Sequence, residues 1–353
     1  MKLLVLKETH PAENRVALTP DLIAKYQKFG FEVFVEEKAG AKSAITDAEF
    51  VKAGAQIISN ISTILAEVDV IISLQRTDVD FAKTKTDLVF ITKEKFPQKD
   101  ISAERKIFSL DLIPRITRAQ GMDVLSSQSN LAGYRAVIDA AYEMPKILPM
   151  MMTAAGTISA AKFMIIGAGV AGLQAVATAK RLGAVVCVFD VRAAAKEQVQ
   201  SLGAKFIEVK SDEKNDGVYA KEASEEYKKL QEELLKETIK NQDVVITTAL
   251  IPGKKAPILI TEEMVKSMKP GAIIVDLAAV NGGNCALTQV GKIVEIGSVK
   301  IIGHENFPSR VAADASKVFA KNIFNFVDLL TDKEKKIISI NREDEIIKST
   351  LSC

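Results

Sequence analysis

Phe163-Met-Ile-Ile-Gly-Ala-Gly-Val-Ala-Gly172 is the stretch whose reading decides the fold. A helical run follows it to Leu182, and a second apolar run, Val185-Val-Cys-Val-Phe-Asp190, ends on an acid. The order is strand, phosphate loop, helix, strand. Gly167 permits the tight turn off the strand, Gly169 lets the backbone approach a pyrophosphate, and Gly172 lets the helix lie close on the sheet. With Val170 and Ala171 at the start of that helix, unpaired N–H groups and the helix dipole favour negative charge there. Asp190 stands about 20 residues on, where an acid binds the ribose 2′-OH. Its carboxylate would repel a 2′-phosphate, so the expected cofactor is NAD (NADH) rather than NADP; Arg192 pulls the other way, because an arginine can accommodate that phosphate. Three glycines alone are a weak signal, but in this context nucleotide binding is preferred over a bare structural turn.

Outward from the motif, 353 residues with 48% hydrophobic content exceed what one core holds, since single cores stop growing near ~250–300 residues. Two domains are expected. A net charge of +2, from 47 basic and 45 acidic residues, with no aromatic-laced basic stripe, argues against nucleic acid. Met1-Lys-Leu-Leu-Val-Leu6 is too short for a signal core, and no run approaches the ~18 apolar residues of a membrane span, so a cytoplasmic location with no direct span is expected. Cys187, Cys285 and Cys353 lack ligand spacing, which makes a disulfide framework or zinc site the poorer reading. The only histidines are His10 and His304; neither is framed by an acid in sequence, and each reads as structural.

Strands alternate with helices along the chain. Leu3 to Leu6, Phe31 to Glu36, Ala55 to Ser59, Asp69 to Leu74 and Leu88 to Thr92 read as strands, with capped helices opening at Thr19-Pro20-Asp21 and at Thr46. Lys106 to Ile113 is a further buried-type run. Asn130 is expected to cap a helix carrying Leu131, Tyr134, Val137 and Ile138, broken by Pro145 and Pro149. Met150 to Met152 read as adaptable core filling, followed by a short helix from Thr153 to Ala161. Beyond Asp190 come a helix near Ala193 to Leu202, strands at Gly203 to Val209 and Asp243 to Leu250, a helix opened by Thr261, a strand to Leu277, and Val299 to Ile302 closing the sheet. Lys210 to Tyr227 is a long charged excursion, read equally well as a lid or as a solvated segment. Ala53-Gly-Ala-Gln-Ile-Ile-Ser59 with Asp69-Val-Ile-Ile-Ser73 echoes Leu202-Gly-Ala-Lys-Phe-Ile207 with Asp243-Val-Val-Ile-Thr247.

The expected fold is therefore α/β: two Rossmann-like domains with parallel, doubly wound sheets, joined by long helices. Residues 1–128 with 308–353 would form one, completed by the apolar C-terminal helix from Ser316 to Leu330, and residues 129–307 the NAD(H)-binding one. Only the second half carries glycines suited to phosphate.

Pro114-Arg-Ile-Thr-Arg-Ala-Gln-Gly-Met-Asp-Val-Leu-Ser-Ser-Gln-Ser-Asn-Leu-Ala-Gly-Tyr-Arg-Ala-Val-Ile-Asp139 closely resembles the signature of the NAD(H)-binding component, domain I, of proton-translocating nicotinamide nucleotide transhydrogenase. The likeness extends to Lys7-Glu8 with Arg15-Val-Ala-Leu-Thr-Pro20, the motif Gly167 to Gly172, Asp190-Val-Arg192, Gly217-Val-Tyr-Ala-Lys-Glu222, Thr247-Thr-Ala-Leu-Ile-Pro-Gly253, Gly282-Gly-Asn284 and Pro308-Ser-Arg-Val-Ala-Ala313. The resemblance implies that Arg115, Gln120, Asp123 and Ser126 orient the nicotinamide and its ribose, with Tyr134 closing on the cofactor. By residue type, Gln120 can bond an amide or ribose hydroxyl, while Arg115 and Asp123 can lock each other. It further implies that Val191, Ala249 and Leu250 line the dinucleotide, and that Tyr219 is the tip of a mobile loop, which favours the lid. The implied enzyme is a Re/Si-specific, proton-translocating NAD(P)⁺ transhydrogenase. This chain would be its peripheral NAD-binding subunit, a homodimer beside an NADP(H)-binding subunit and a membrane proton-channel subunit.

Alanine dehydrogenase is the nearest rival by resemblance, sharing Arg15 to Pro20. Its family carries a catalytic lysine in a Lys-Val-Lys-Glu-Pro-like run and a histidine soon after. Here the strand end reads Ser73-Leu-Gln-Arg-Thr77, and Phe90 to Lys95 has no histidine. An amine substrate needs a proton acceptor, whereas transfer between two nicotinamides needs chiefly positioning. Without that machinery, Arg15 reads as a residue holding a loop.

Overall fold

The computed structural model describes residues 1–76, 78–93, 105–209, 225–250 and 254–352. The chain divides into two compact units, Met1–Gln128 with Pro308–Cys353, and Ser129–Phe307.

In the first unit, β1 (Lys2–Val5), β2 (Glu32–Glu36), β3 (Gln56–Ile58), β4 (Val70–Ile72), β5 (Val89–Thr92) and β6 (Lys106–Ser109) form a parallel sheet in the order β3-β2-β1-β4-β5-β6. A parallel sheet is covered on both faces and so demands continuous apolar runs. Leu3-Leu-Val5, Val70-Ile-Ile72 and Val89-Phe-Ile91 meet that demand, buried at every position. Alternate residues serve opposite cores. Leu3, Val5, Val70 and Ile72 face the helices Pro20–Lys28 and Ala312–Leu329, whereas Leu4, Ile71 and Phe90 face a smaller cluster with Leu65 and Val68. Pro20 at the first helical position presets the first of those helices, and Gly30 at φ +88° ends it.

In the second unit, a hairpin of β7 (Met151–Thr153) and β8 (Gly156–Ile158) precedes β9 (Lys162–Ile166), β10 (Val185–Phe189), β11 (Lys205–Ile207), β12 (Val244–Thr247), β13 (Ile273–Asp276), β14 (Ile293–Ile296) and β15 (Val299–Ile302). Their order is β11-β10-β9-β12-β13-β15-β14, parallel except for the last pair. Each sheet winds one way from its first strand to its third and then crosses back to its fourth. Ligands bind outside the carboxyl ends of the strands at such a switch point. In the first unit it lies between β1 and β4, in the second between β9 and β12. The internal echo matches the third and fourth strands of each sheet.

Three local expectations fail for physical reasons. Met150, Met151 and Met152 are 64%, 45% and 78% exposed and stand on a hairpin, not in a core or ahead of a helix. Ala154 and Ala155 make the turn, and Gly156, paired with Thr153, opens the returning strand at φ +129°. Asn130 lies inside the helix Val124–Glu143, because Asp123 caps it: Asp123 Oδ1 accepts the Ser126 N–H at 2.8 Å, about two turns earlier than the apolar spacing suggests. The sheet closes on β14 rather than Val299–Ile302, since Gly297 at φ +61° folds the preceding run back as an antiparallel edge.

Candidate functional site

β9 ends at Ile166 and the chain turns at Gly167, whose φ of +101° disfavours any side chain. Thr248, just past β12, donates its hydroxyl to the Gly167 carbonyl at 3.0 Å and so ties the turn to the neighbouring strand across the switch point. The helix Val170–Arg181 begins at once. A Cβ on Gly172 would fall 1.8 Å from the Gly167 carbonyl oxygen, and one on Gly133 would fall 2.0 Å from that of Ala171, so both glycines are required by close packing. Gly169 differs. Its φ of −75° is ordinary, and a Cβ there would meet no atom of the protein. The space beside it is what a pyrophosphate approaching the backbone would use. Leu173 makes the first intrahelical bond, to Gly169 at 2.8 Å, leaving the N–H groups of Val170, Ala171 and Gly172 ahead of the ladder. These residues fit a dinucleotide phosphate without adjustment.

Asp190 stands one residue beyond β10 with its side chain 6% exposed. Its Oδ2 accepts the Ala168 N–H at 2.6 Å, which binds the strand end to the glycine turn. Arg192 does not stand apart as a phosphate receptor. It donates Nε to Oδ1 at 3.0 Å and Nη2 to Oδ2 at 3.1 Å, and its own N–H meets Oδ1 at 2.8 Å. Val191 is half-buried against the core on one face of the sheet.

The third wall of this switch point is not apparent as a unit from the sequence. Ala249 and Leu250 follow β12, and Asn284, 35 residues later, grips Ala249 at both its N–H and its carbonyl. Asp276, at the end of β13 and fully buried, accepts the N–H groups of Asn284 and Cys285 and the hydroxyls of Thr247 and Thr288. Gly282 and Gly283, at φ +100° and +77°, bring the chain back close enough for this. The Gly-Gly-Asn run was the available signal, but nothing in its spacing names Ala249 as the partner.

In the first unit, Arg115 and Gln120 are exposed on the loop before the helix Val124–Glu143. The expected lock between Arg115 and Asp123 is replaced by the helix cap, with Asp123 Oδ2 also accepting the Ser126 hydroxyl at 2.5 Å. The loop is anchored instead at Gly121, whose carbonyl accepts Asn322 Nδ2 at 2.9 Å and Asn325 Nδ2 at 2.7 Å. Tyr134, 41% exposed, lies on the same helix within the second unit. Tyr219 and the rest of 210–224 lie outside the described residues.

At the first unit's own switch point, a side chain takes the anion's place. Glu8, just past β1, accepts the successive N–H groups of Leu74, Gln75 and Arg76 at 2.7, 3.1 and 3.0 Å beyond β4. Burial pushes its carboxyl up to about 7, against the pull of those three donors. Arg15 is buried, with Nε and Nη2 on Glu13 at 2.7 and 2.6 Å and Nη1 on Gln128 at 2.8 Å, so it holds a loop as expected.

His10 accepts the Ala12 N–H through Nδ1, and His304 lies 3.9 Å from Asp139 and edge-on to Phe307. Among the described residues no group of His, Cys, Asp and Glu could hold a metal ion, and no helix is long and apolar enough to cross a membrane.

Fold and site together define a class: Rossmann-like α/β chains in which a glycine turn, a helix N-terminus and a strand-end acid meet at a switch point. Within that class the chain belongs to the alanine dehydrogenase/PNT family, whose N-terminal domain model matches residues 4–132 and whose C-terminal domain model matches residues 136–353. It is 52% identical to an NAD(P) transhydrogenase subunit alpha polypeptide of Rhodospirillum rubrum, over 99% of this chain and 95% of that one. A solved structure of transhydrogenase from Sinorhizobium meliloti superposes with a TM-score of 0.89 at 46% identity, covering 99% of this chain and 98% of the other. Alanine dehydrogenase of Mycobacterium tuberculosis is a more distant relative, 28% identical over 80% of this chain and 74% of its own length.

Proposed function

We propose that the chain is the NAD(H)-binding subunit of a proton-translocating, Re/Si-specific NAD(P) transhydrogenase, passing hydride between NADH and NADP⁺ held on a partner subunit. The observation that carries this reading is the strand-end Asp190 joined to a glycine turn whose Gly169 faces free space. The identity to transhydrogenase alpha subunits along the chain supports it. The dinucleotide, when bound, supplies the hydride chemistry. The unit formed by residues 129–307 holds it, with Gly167, Gly169, Val170, Ala171 and Gly172 at the pyrophosphate, Asp190 at the ribose, and Val191, Arg192, Ala249 and Leu250 around them. By the family likeness, Arg115, Gln120, Asp123, Ser126 and Tyr134 are assigned to orienting the nicotinamide and Tyr219 to the tip of a loop that serves it. NADP belongs to the partner subunit, and a separate membrane subunit carries protons. The chain works as a homodimer on the cytoplasmic face; the exposed methionine hairpin is the kind of surface such assembly uses.

The alanine dehydrogenase reading is disfavoured by two groups of the first unit. Arg15 is buried with its Nε–Nη2 fork already on the Glu13 carboxylate and Nη1 on Gln128, so that fork is not presented to a substrate carboxylate. The run Ser73-Leu-Gln-Arg-Thr77 after β4 holds no lysine, and neither an amide nor a guanidinium takes the proton an amine must lose. Purified chain should give no turnover with NADH, pyruvate and ammonia, and should pass hydride from NADPH to an oxidised NAD analogue when an NADP-binding transhydrogenase component is added. Turnover in the first mixture would overturn the proposal, and silence in both would point to a non-catalytic NAD sensor.

A further inference from the structure

We infer that the Arg192 guanidinium occupies the place of the ribose cis-diol on Asp190, and that a dinucleotide enters only by displacing it. The inference rests on reading Gly167 to Asp190 as an NAD(H) site, and it concerns how affinity and cofactor choice are set there.

A carboxylate has about four lone-pair positions to offer. In Asp190 all four are filled: Oδ1 by the N–H and Nε of Arg192 at 2.8 and 3.0 Å, Oδ2 by the Ala168 N–H at 2.6 Å and Arg192 Nη2 at 3.1 Å. Two of the donors are backbone groups fixed by the strand end and the glycine turn. The other two are the two nitrogens of the guanidinium fork, one on each oxygen, and they make the longest bonds of the four. A 2′,3′-diol also presents two donors, suited to one oxygen each. Fork and diol therefore compete for the same two lone pairs.

Exposure shows which group can yield. The Asp190 side chain is 6% exposed and that of Arg192 33%, so the arginine has solvent to swing into and the carboxylate does not. Swinging out gives up a bidentate, charge-assisted pair, and this cost is subtracted from the affinity for any ribose. Once displaced, the cation is tethered two residues from the 2′ position. There it attracts the 2′-phosphate of NADP(H) and offsets the repulsion from Asp190. Arg192 thus weakens NADH binding and also blunts the discrimination that Asp190 provides.

Titration of the full chain with NADH, NADPH, AMP and 2′,3′-dideoxy-AMP tests this in the parent protein and in Arg192→Ala and Arg192→Gln, the latter keeping part of the aliphatic stem. Both variants should bind NADH and AMP about fivefold more tightly, and the preference for NADH over NADPH should rise about tenfold. The dideoxy nucleotide, having no diol, should bind parent and variants alike. Unchanged or weaker NADH binding in both variants would show that Arg192 supports Asp190 rather than plugging it. A gain shared by the dideoxy nucleotide would equally overturn the inference, because the competition would not be with the diol. Failure of the parent protein to bind NADH at all would instead remove the site reading beneath it.

Discussion

Asn284 closes on Ala249 from both sides of one residue, accepting its N–H with Oδ1 at 3.0 Å and donating Nδ2 to its carbonyl at 2.9 Å. The pairing imitates a strand partner for a segment that has already left the sheet. The same Nδ2 reaches Pro257 at 2.8 Å, and the side chain is fully buried. Asn284→Ala orphans three backbone groups at once, and leaving buried donors and acceptors unmet should lower stability by about 3 kcal/mol. Urea denaturation measures that loss. Because the freed segment walls the proposed dinucleotide site, NADH affinity should fall with it at temperatures where the variant remains folded.

Gly169 and Gly172 sit three residues apart and should fail in opposite ways. Alanine at 172 would place Cβ 1.8 Å from the Gly167 carbonyl oxygen, so Gly172→Ala should unfold at a clearly lower temperature whether or not cofactor is added. Alanine at 169 meets no atom of the protein, so Gly169→Ala should melt as the parent does yet bind NADH at least about tenfold more weakly. Equal behaviour of the two variants would mean that the turn has no ligand.

Gln120 is exposed on the turn Thr117–Met122. Gln120→Asn shortens its reach by one methylene. If it aims the ring, hydride transfer should slow about tenfold while NADH affinity stays within about twofold, because the remote adenosine half still supplies binding energy. Binding that falls in step with rate would make it an affinity residue.

Glu8 gives the fold a pH dependence of unusual sign. Its carboxyl titrates near 4.5 when unfolded and at about 7 in the fold, where burial raises it. The folded state therefore holds this proton more tightly, and the contribution is complete below about pH 4.5 and lost as pH rises to about 7, amounting to about 3 kcal/mol at most. Parent stability should fall across that window, whereas Glu8→Gln should be flatter; parallel profiles would refute the assignment.

Much of the architecture is legible in the chain because parallel sheets write themselves as continuous apolar runs. The glycine motif likewise announced itself: the turn at Gly167 and the packing at Gly172 are backbone necessities that no other residue satisfies. What escaped were bonds between distant residues. Asp123 looked like a partner for Arg115, but a carboxylate three residues before an open N–H finds that N–H first, and the local cap prevailed. Asn284 and Ala249 are joined across 35 residues by a return of the chain that spacing does not reveal. Glu8 was only one residue of a shared motif until β4 delivered three N–H groups to it. Composition also misled at the methionines, whose apolarity says nothing of where a hairpin will hold them.

That hairpin carries a built-in reporter. Methionine thioethers gain oxygen at a rate set by their access to the oxidant, and the product is heavier by one oxygen atom. Met152, at 78% exposure, should become the sulfoxide well ahead of the buried Met164 and Met264 under dilute peroxide. Any surface that comes to cover the hairpin would slow that single reaction, so peptide mass spectrometry of Met150 to Met152 can time assembly without a label.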